Sequence, residues 1–525
     1  MRDISNLSPR EWKAIAAQAE DEEDLALAAT ALDHLLKQNA RDDILLARLF
    51  RVYSNGGQRQ KALQLAESAF ADGVRGRRLT SMYILSDFTS YNLPNCLDDI
   101  EAKLALFRHN PAVEGRAAMA YAWHGDVDRA LDHARVAIAR ADEAATADMI
   151  RLMLARRVYQ LSHRDAADRI CRMGRQSPDL RPAILFDRLL VRTGNVANDA
   201  TTRQLFRQLL AMDDFPRRTE LVAQHIDFRW RLNGPSPALL DEIDQHLASG
   251  PRQDIIPLTL MKLSMAMQLG DEALALRTLR SHPELARKAS ACLPVARLLR
   301  DHGTGTDAPV DPEVAAYASL YDELADSEAV LRKRLGNPDV TCAVVGNSSC
   351  EIGRGHGAQI DAHDEVVRFN RFDTSPPFDR DYGSRTTVLV RVGNDRPEIG
   401  IDMAPNTLVL ISSASILYRG RAWRAALRMR DEGHQLCVFP QRFQTQLSKM
   451  LVGSPSSGLS FVHLLKALRG TLHREDFFGF AFVDQIGSQA KSAHYFEAAK
   501  PSAMHQWDRE LEIFNAMFDD ETIWA

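Results

Sequence analysis

Cysteine is scarce, and the six residues present stand far apart. Cys96, Cys171, Cys292, Cys342, Cys350 and Cys437 are spread over 525 positions, and no two have C-x-x-C spacing. That excludes a zinc ribbon, a thioredoxin-like motif and a disulfide scaffold. So few thiols in a long chain suit a reducing compartment. Long apolar runs are also missing. No stretch of 18 apolar residues occurs, so no membrane-spanning helix is expected. The polar start Met1-Arg2-Asp3-Ile4-Ser5-Asn6 does not read as a signal peptide. An excess of one charge is absent too: 65 Lys and Arg stand against 70 Asp and Glu, for a net charge of −5. This excludes nucleic-acid binding through bulk positive charge. What is present, 45% hydrophobic and 26% charged residues, is the composition of folded globular protein rather than a disordered chain. The expected location is the cytoplasm, at most peripheral to an inner membrane.

The chain has two grammars. Up to about residue 330 it reads as helix after helix, rich in Ala, Leu and Arg, with apolar residues at three- and four-residue steps. Ala62, Leu63, Leu65, Ala66, Ala69 and Phe70 share one broad face. A turn recurs: Asn55-Gly56-Gly57, His124-Gly125-Asp126 and Leu269-Gly270-Asp271 each precede an Ala-Leu pair (Ala62-Leu63, Ala130-Leu131, Ala275-Leu276) at the same offset. Gly permits the tight turn and Ala the close helix approach. The interval from Gly57 to Gly125 is two periods of 34, so the pattern resembles degenerate tetratricopeptide repeats. Gly194 and Gly234 mark further turns. The stretch from His302 to Pro309 reads as a linker or solenoid end, and one helix is expected from about Pro312 to Leu335.

From Val340 short β-branched runs alternate with helical patterns. The runs are Thr341–Val345, Val366–Phe369, Thr387–Val390, Thr407–Ile411, Leu436–Phe439 and Phe477–Phe480. Helical patterns include Arg421–Glu432 and Gly458–Leu468. This predicts an α/β domain with a largely parallel sheet. The organisation is therefore multidomain: an N-terminal all-α helical-repeat solenoid over 1–310, a linker and connecting helix over 311–339, and an α/β domain over 340–525.

The first run leads into Gly346-Asn347-Ser348-Ser349-Cys350 and then Gly353-Arg354-Gly355-His356-Gly357. Glycine after a first strand lets backbone N–H groups approach a phosphate, although on its own this is equally an ordinary turn. Neither G-x-G-x-x-G nor G-x-x-x-x-G-K-[ST] is met. Further on stand Asp361-x-His363-Asp364-x-Val366-Val367-Arg368-Phe369-Asn370, Asp381-Tyr382-Gly383-Ser384-Arg385-Thr386, Pro455-Ser456-Ser457-Gly458, Phe478-Gly479-Phe480, His494-Tyr495-Phe496-Glu497 and His505-x4-Glu510. Asp379-Arg380-Asp381 superficially matches a metal-binding D-x-D and reads as a solvated loop.

Taken in order, these motifs resemble the four motifs of glycosyltransferase family 29, the eukaryotic-type sialyltransferases, over about Thr341 to Glu521. The resemblance implies a Rossmann-like (GT-A-like) domain and an inverting transferase that needs no metal or other cofactor and takes a CMP-activated sugar. It implies that Asn347 and Ser348 contact the CMP phosphate or ribose, that Asn370 bonds the nucleotide, and that Ser456, Ser457 and Gly458 cradle ribose and phosphate. His494 would hold the leaving phosphate. His505 would be the general base, with Glu510, about a turn further along a helix, orienting it. Ser456-Ser457-Gly458 opens a helix, whose free N–H groups and dipole suit an anion, and a histidine suits proton abstraction near neutral pH. The chain departs from the family at Cys350, where Asn is usual, and at Cys342, whose usual disulfide partner is replaced near Arg469. The sugar is sialic acid or the similar keto-acid sugar Kdo, since the nucleotide motifs do not separate them. The acceptor is a glycan of capsule or lipopolysaccharide type in a bacterial cell, read by the Tyr382 region or the 440–455 stretch. The repeats would hold a protein partner. A non-catalytic helical-repeat scaffold is the competing class, and retention of both His494 and His505 counts against it.

Overall fold

The computed structural model describes residues 7–21, 24–55, 58–74, 76–86, 96–107, 110–141, 143–175, 181–194, 197–249, 255–303, 310–393, 403–412, 416–419, 423–451, 453–481, 494–496 and 505–519. The chain forms two compact units, Met1–Asp187 and Arg188–Ala525. No helix among the described residues is long and apolar enough to cross a membrane.

The first unit is helical throughout its described residues, from Pro9–Asp21 to Arg164–Arg172. Its Gly-Asp turn shows how two residues stop one helix and start the next. Gly125 ends Pro111–His124 in the left-handed region (φ 86°), and Asp126 N–H reaches back to the Tyr121 carbonyl at 2.9 Å. The Asp126 carboxylate then accepts Arg129 N–H at 3.1 Å and caps Val127–Ala139, a cap worth about 1 kcal/mol. Ala130 and Leu131 are buried, as the repeat requires. The second unit repeats the device at Gly270-Asp271, where Gly270 has φ 79°, Asp271 N–H bonds Ala266 O at 2.8 Å and the Asp271 carboxylate caps Leu274 N–H at 2.9 Å. Sequence reasoning located the glycines; the capping aspartates complete the turn. Gly234 closes Arg218–Asn233 with φ 82°. The expected turn at Gly56-Gly57 and most of the His302–Pro309 stretch fall outside the described residues.

The helix expected over Pro312–Leu335 is two helices, Pro312–Leu324 and Ser327–Leu335. Ser327 breaks it. Its hydroxyl donates to Leu324 O at 2.6 Å and accepts Val438 N–H at 3.0 Å, so it ties the break to the sheet.

Six strands follow: β1 Cys342–Val345, β2 Glu365–Phe369, β3 Val388–Val392, β4 Leu408–Ser412, β5 Gln435–Val438 and β6 Phe477–Phe478. They lie in the order β5-β4-β3-β2-β1-β6, every pair parallel. Val344 sits opposite both Val367 and Phe477, and Val390 opposite Leu410. The first five strands step one way and β6 returns to the far side of β1. The order therefore reverses at β1/β6, where open parallel sheets bind ligands beyond their carboxyl ends.

Alternation along each strand separates two faces. Cys342, Val344, Val367, Phe369, Val388, Val390, Leu408, Leu410 and Cys437 form one continuous apolar face under Ser327–Leu335, Gln441–Met450, Ser457–Arg469 and Trp507–Asp519. The other face is divided. Ala343, Val345 and Val366 pack with Tyr382 and Tyr495. Val409, Ile411, Leu436 and Val438 pack with Leu293–His302, Pro312–Leu324 and Trp423, whose indole N–H donates to Ala291 O at 3.0 Å. Helices from the repeat-like region thus cover half of one sheet face. All six cysteines are free thiols. Cys342 is buried, which pushes its thiol up to about 12. Beside it Arg469 donates to the carbonyls of Leu335 (2.6 Å) and Val340 (2.8 Å), tethering the start of β1.

Burying Val409, Ile411, Leu436 and Val438 is worth roughly 6–10 kcal/mol, about the net stability of a whole domain. A fragment of residues 340–525 is therefore expected to aggregate or bind a hydrophobic dye, while residues 188–525 unfold in one cooperative transition. A soluble, monomeric 340–525 fragment with a sharp melting transition would contradict this packing.

Candidate active site

The loop after β1 is held by backbone contact with the loop after β6. Gly346 N–H donates to Phe478 O at 2.7 Å, and Ser348 N–H to Gly479 O at 3.0 Å. A Cβ on Gly346 would lie 2.4 Å from Gly479 O, and one on Gly479, which has φ 68°, 2.4 Å from Gly346 O. Both positions require glycine because two stretches of backbone touch there. Buried Glu351 accepts Gly479 N–H at 3.1 Å and pairs with His356 at 2.8 Å, which completes the join.

The glycines that follow do not offer their N–H groups to a ligand. Gly353 and Gly355 donate to the two oxygens of Asp381, at 2.7 and 2.8 Å. The Asp379-Arg380-Asp381 stretch, expected as a solvated loop, is the helical turn Asp379–Tyr382, and Asp381 is 8% exposed. The Gly353 N–H bond, with that of Gly355, holds its carboxyl below the usual range. Tyr382 is fully buried and its hydroxyl donates to Ser348 O at 2.6 Å. Its side chain braces the loop after β1 from inside.

Of the residues predicted to touch the nucleotide, Asn347 pins the loop. Its amide donates to Phe369 O and Arg371 O, both at 3.0 Å, and its carbonyl accepts Tyr495 N–H at 2.9 Å. Ser348 is buried, and its Oγ has no hydrogen-bond partner. Asn370 ends β2 in the left-handed region (φ 50°), a conformation Asn tolerates. Its N–H bonds Val390 O at 2.8 Å and its Oδ1 accepts Val392 N–H at 2.9 Å, which ties the ends of β2 and β3. His494 lies beside this group with its ring stacked on Phe496, centroids 5.2 Å apart. Sequence reasoning gave Tyr495 no role, yet it anchors the segment. Its ring stacks on Tyr382 at 3.8 Å and its hydroxyl donates to Asp373 O at 2.6 Å. Glu497 lies outside the described residues.

A second group gathers at the start of Ser457–Arg469. Ser456 is the N-cap, and its Oγ accepts Leu459 N–H at 3.1 Å. Glu510, with no exposed surface, accepts Ser456 N–H at 2.9 Å and Ser456 O–H at 2.5 Å. Burial pushes the Glu510 carboxyl up. Ser457 Oγ lies 3.4 Å from Ser412 Oγ at the carboxyl end of β4. Gly458 faces Phe480, whose ring would be 3.2 Å from an added Cβ, and the same ring would be 3.3 Å from a Cβ on Gly346. Phe480 therefore stands between the two groups. His505 precedes the helix Trp507–Asp519 rather than lying on it with Glu510. Its Nδ1 is 3.0 Å from Ser454 O and 3.6 Å from Glu510 Oε1. A carbonyl only accepts, so Nδ1 carries a proton, and in the tautomer with that single ring proton Nε2 is the acceptor. Among the described residues, no three His, Cys, Asp or Glu side chains come together as metal ligands would.

Asp381→Asn removes the charge and one of the two acceptors of the Gly353 and Gly355 N–H groups. It is expected to destabilise the fold by about 1–3 kcal/mol. Because the carboxyl pKa is depressed in the fold, the wild-type advantage is full above the ordinary aspartate value and shrinks as the pH falls through the lowered one. Equal melting temperatures for the two proteins at pH 7 would show that the contact does not support the loop.

Residues 308–394 match the model of glycosyltransferase family 29 (sialyltransferase). The chain is 48% identical over 54 residues to sialyltransferase-like protein 2 of Oryza sativa subsp. indica, covering 10% of this chain and 13% of that protein. It is 33% identical over 81 residues to beta-galactoside alpha-2,6-sialyltransferase 2 of Xenopus tropicalis, covering 15% and 16%. With the protein of that name from Takifugu rubripes it shares 32% over 111 residues, covering 21% and 20%. The chain thus spans a fifth or less of the length of these curated relatives. A crystal structure of a tetratricopeptide repeat protein from Parabacteroides merdae overlaps 59% of this chain and 98% of its own, at 12% identity and a TM-score of 0.27, too loose to bear on repeat geometry. The family match falls on the stretch that carries β1, β2 and β3 of the parallel sheet, so residues 308–394 are a sialyltransferase-like segment of glycosyltransferase family 29, and helices precede it in the chain.

Proposed function

We propose that the protein transfers a sialic acid from CMP-sialic acid to a hydroxyl of a glycan acceptor, with inversion and without a metal ion. The observation that carries this reading is the state of His505. With Nδ1–H held by Ser454 O at 3.0 Å, the lone pair of Nε2 is available to an incoming hydroxyl. In the transfer, the acceptor oxygen forms the new bond to the anomeric carbon as its proton passes to Nε2. The bond from that carbon to the phosphate oxygen breaks, and CMP leaves with the electron pair. The first-turn N–H groups of Ser457 and Gly458, at the positive end of their helix, suit the charge that grows on the phosphate. The buried, unpartnered hydroxyl of Ser348 and the amide nitrogen of Asn370, whose oxygen is already engaged, are donors of the kind a ribose or phosphate takes up. His494 supplies a further donor to the leaving phosphate. The match to family 29 and the sialyltransferase relatives support the reaction class. The acceptor is proposed as a glycan of the cell surface, capsule or lipopolysaccharide type, delivered by a protein bound to the helical repeats.

The test is donor turnover by the purified chain in a chelator, with CMP-Neu5Ac and CMP-Kdo offered separately and a mixed glycan set as acceptor. His505→Ala is expected to lower turnover by about 10²–10⁴-fold while CMP still binds. His494→Ala should weaken CMP binding as well. Turnover of CMP-Kdo alone would reassign the sugar. Failure to bind CMP or either donor would overturn the transferase reading.

A further inference from the structure

Glu510 is the fully buried carboxylate nearest the base, and the simplest reading makes it the partner of the His505 ring. The geometry gives it a second role. We propose that Glu510 is a positioning residue for both donor and base, acting through Ser456 and the turn that carries Ser454. This rests on the transferase reading above.

Both oxygens of Glu510 are committed to one residue: Oε1 to Ser456 N–H at 2.9 Å and Oε2 to Ser456 O–H at 2.5 Å. The Nδ1 proton of His505 can serve only one acceptor well. Ser454 O is at 3.0 Å and Glu510 Oε1 at 3.6 Å, beyond hydrogen-bond range. The two residues that Glu510 and His505 grip flank Pro455, whose ring disfavours the helical region for Ser454 and leaves that turn few alternatives. Glu510 therefore fixes Ser456, the short turn fixes Ser454, and the Ser454 carbonyl fixes the tautomer and aim of His505. The same grip sets Ser456 as N-cap of Ser457–Arg469 and so aims the N–H groups of Ser457 and Gly458. One carboxylate thus aligns the anion-facing helix start with the base. The titratable group whose charge reaches Glu510 is His505, and the other groups acting on it are the N–H and O–H of Ser456.

The test uses the full chain and reads CMP affinity, donor KM and kcat. Glu510→Ala and Ser456→Ala should each weaken CMP binding and raise donor KM by about tenfold, and the double variant should be little worse than either single one. Glu510→Gln keeps one acceptor for Ser456 N–H. It should lose less CMP affinity than Glu510→Ala, with donor KM between those of wild type and Glu510→Ala. The opposite result overturns the assignment: CMP affinity and donor KM unchanged in all three variants, with kcat alone reduced. If Glu510→Ala does not fold, Glu510→Gln and Ser456→Ala carry the same comparison. Wild type that fails to bind CMP would fault the transferase reading, whereas wild type that binds and turns over donor while the variants keep wild-type CMP affinity and donor KM faults only the role given to Glu510.

Discussion

Two glycines in backbone contact hold the carboxyl edge of the sheet together. Gly346 and Gly479 meet where the strand order reverses, so close that neither tolerates a Cβ. That contact brings the loop after β1 against the loop after β6. It places Ser348 under Gly479 O and sets Phe480 between Gly346 and Gly458. Asn347 and Asn370 then extend the order sideways, the first by tying the β1 loop to the turn after β2, the second by tying the ends of β2 and β3. The edge is stiff because its side-chain amides bond to backbone, and a stiff edge is what transition-state stabilisation by fixed dipoles requires.

Three buried ionisable side chains in this region reach backbone groups of turns or loops. Asp381 is satisfied by two glycine N–H groups, and Glu510 by the N–H and O–H of one serine. Arg368, fully buried in β2, donates to the carbonyls of Arg385 and Tyr382, and burial holds its pKa down. A carboxylate or guanidinium that ends on a backbone group fixes a turn at a defined distance and angle. Several sequence motifs of the domain are therefore turns held by single ionised side chains, and only some of their residues are free to face substrate.

All six strands were legible in the sequence, because short β-branched runs bounded by turns have few other readings. Their order was not, since β6 joins β1 through contacts 130 or so residues apart that no local pattern records. Gly353 and Gly355 show the limit most clearly. A glycine pair after a first strand suggests a phosphate cradle, and nothing local reveals that Asp381 fills it. His505 and Glu510 were found by their spacing, but the spacing implied a shared helix, whereas the helix begins between them and Ser454 intervenes. Ser327 broke an expected helix because its hydroxyl serves β5, a partner far along the chain. Tyr495 was visible as a letter in a motif, and its stacking on Tyr382 was not. What the sequence withheld was, in each case, a long-range partner.

The helices that cover Val409, Ile411, Leu436 and Val438 precede the first strand in the chain, yet they complete the hydrophobic interior of the sheet. For the history of such a chain, this sets where exchange is tolerated. A recombination point near residue 340, although it separates two visibly different sequence styles, would cut through one interior and leave neither product whole. The sheet and the last helices before it share one interior, so gain or loss of upstream helices that leaves Leu293–His302 and Pro312–Leu324 in place leaves that interior whole.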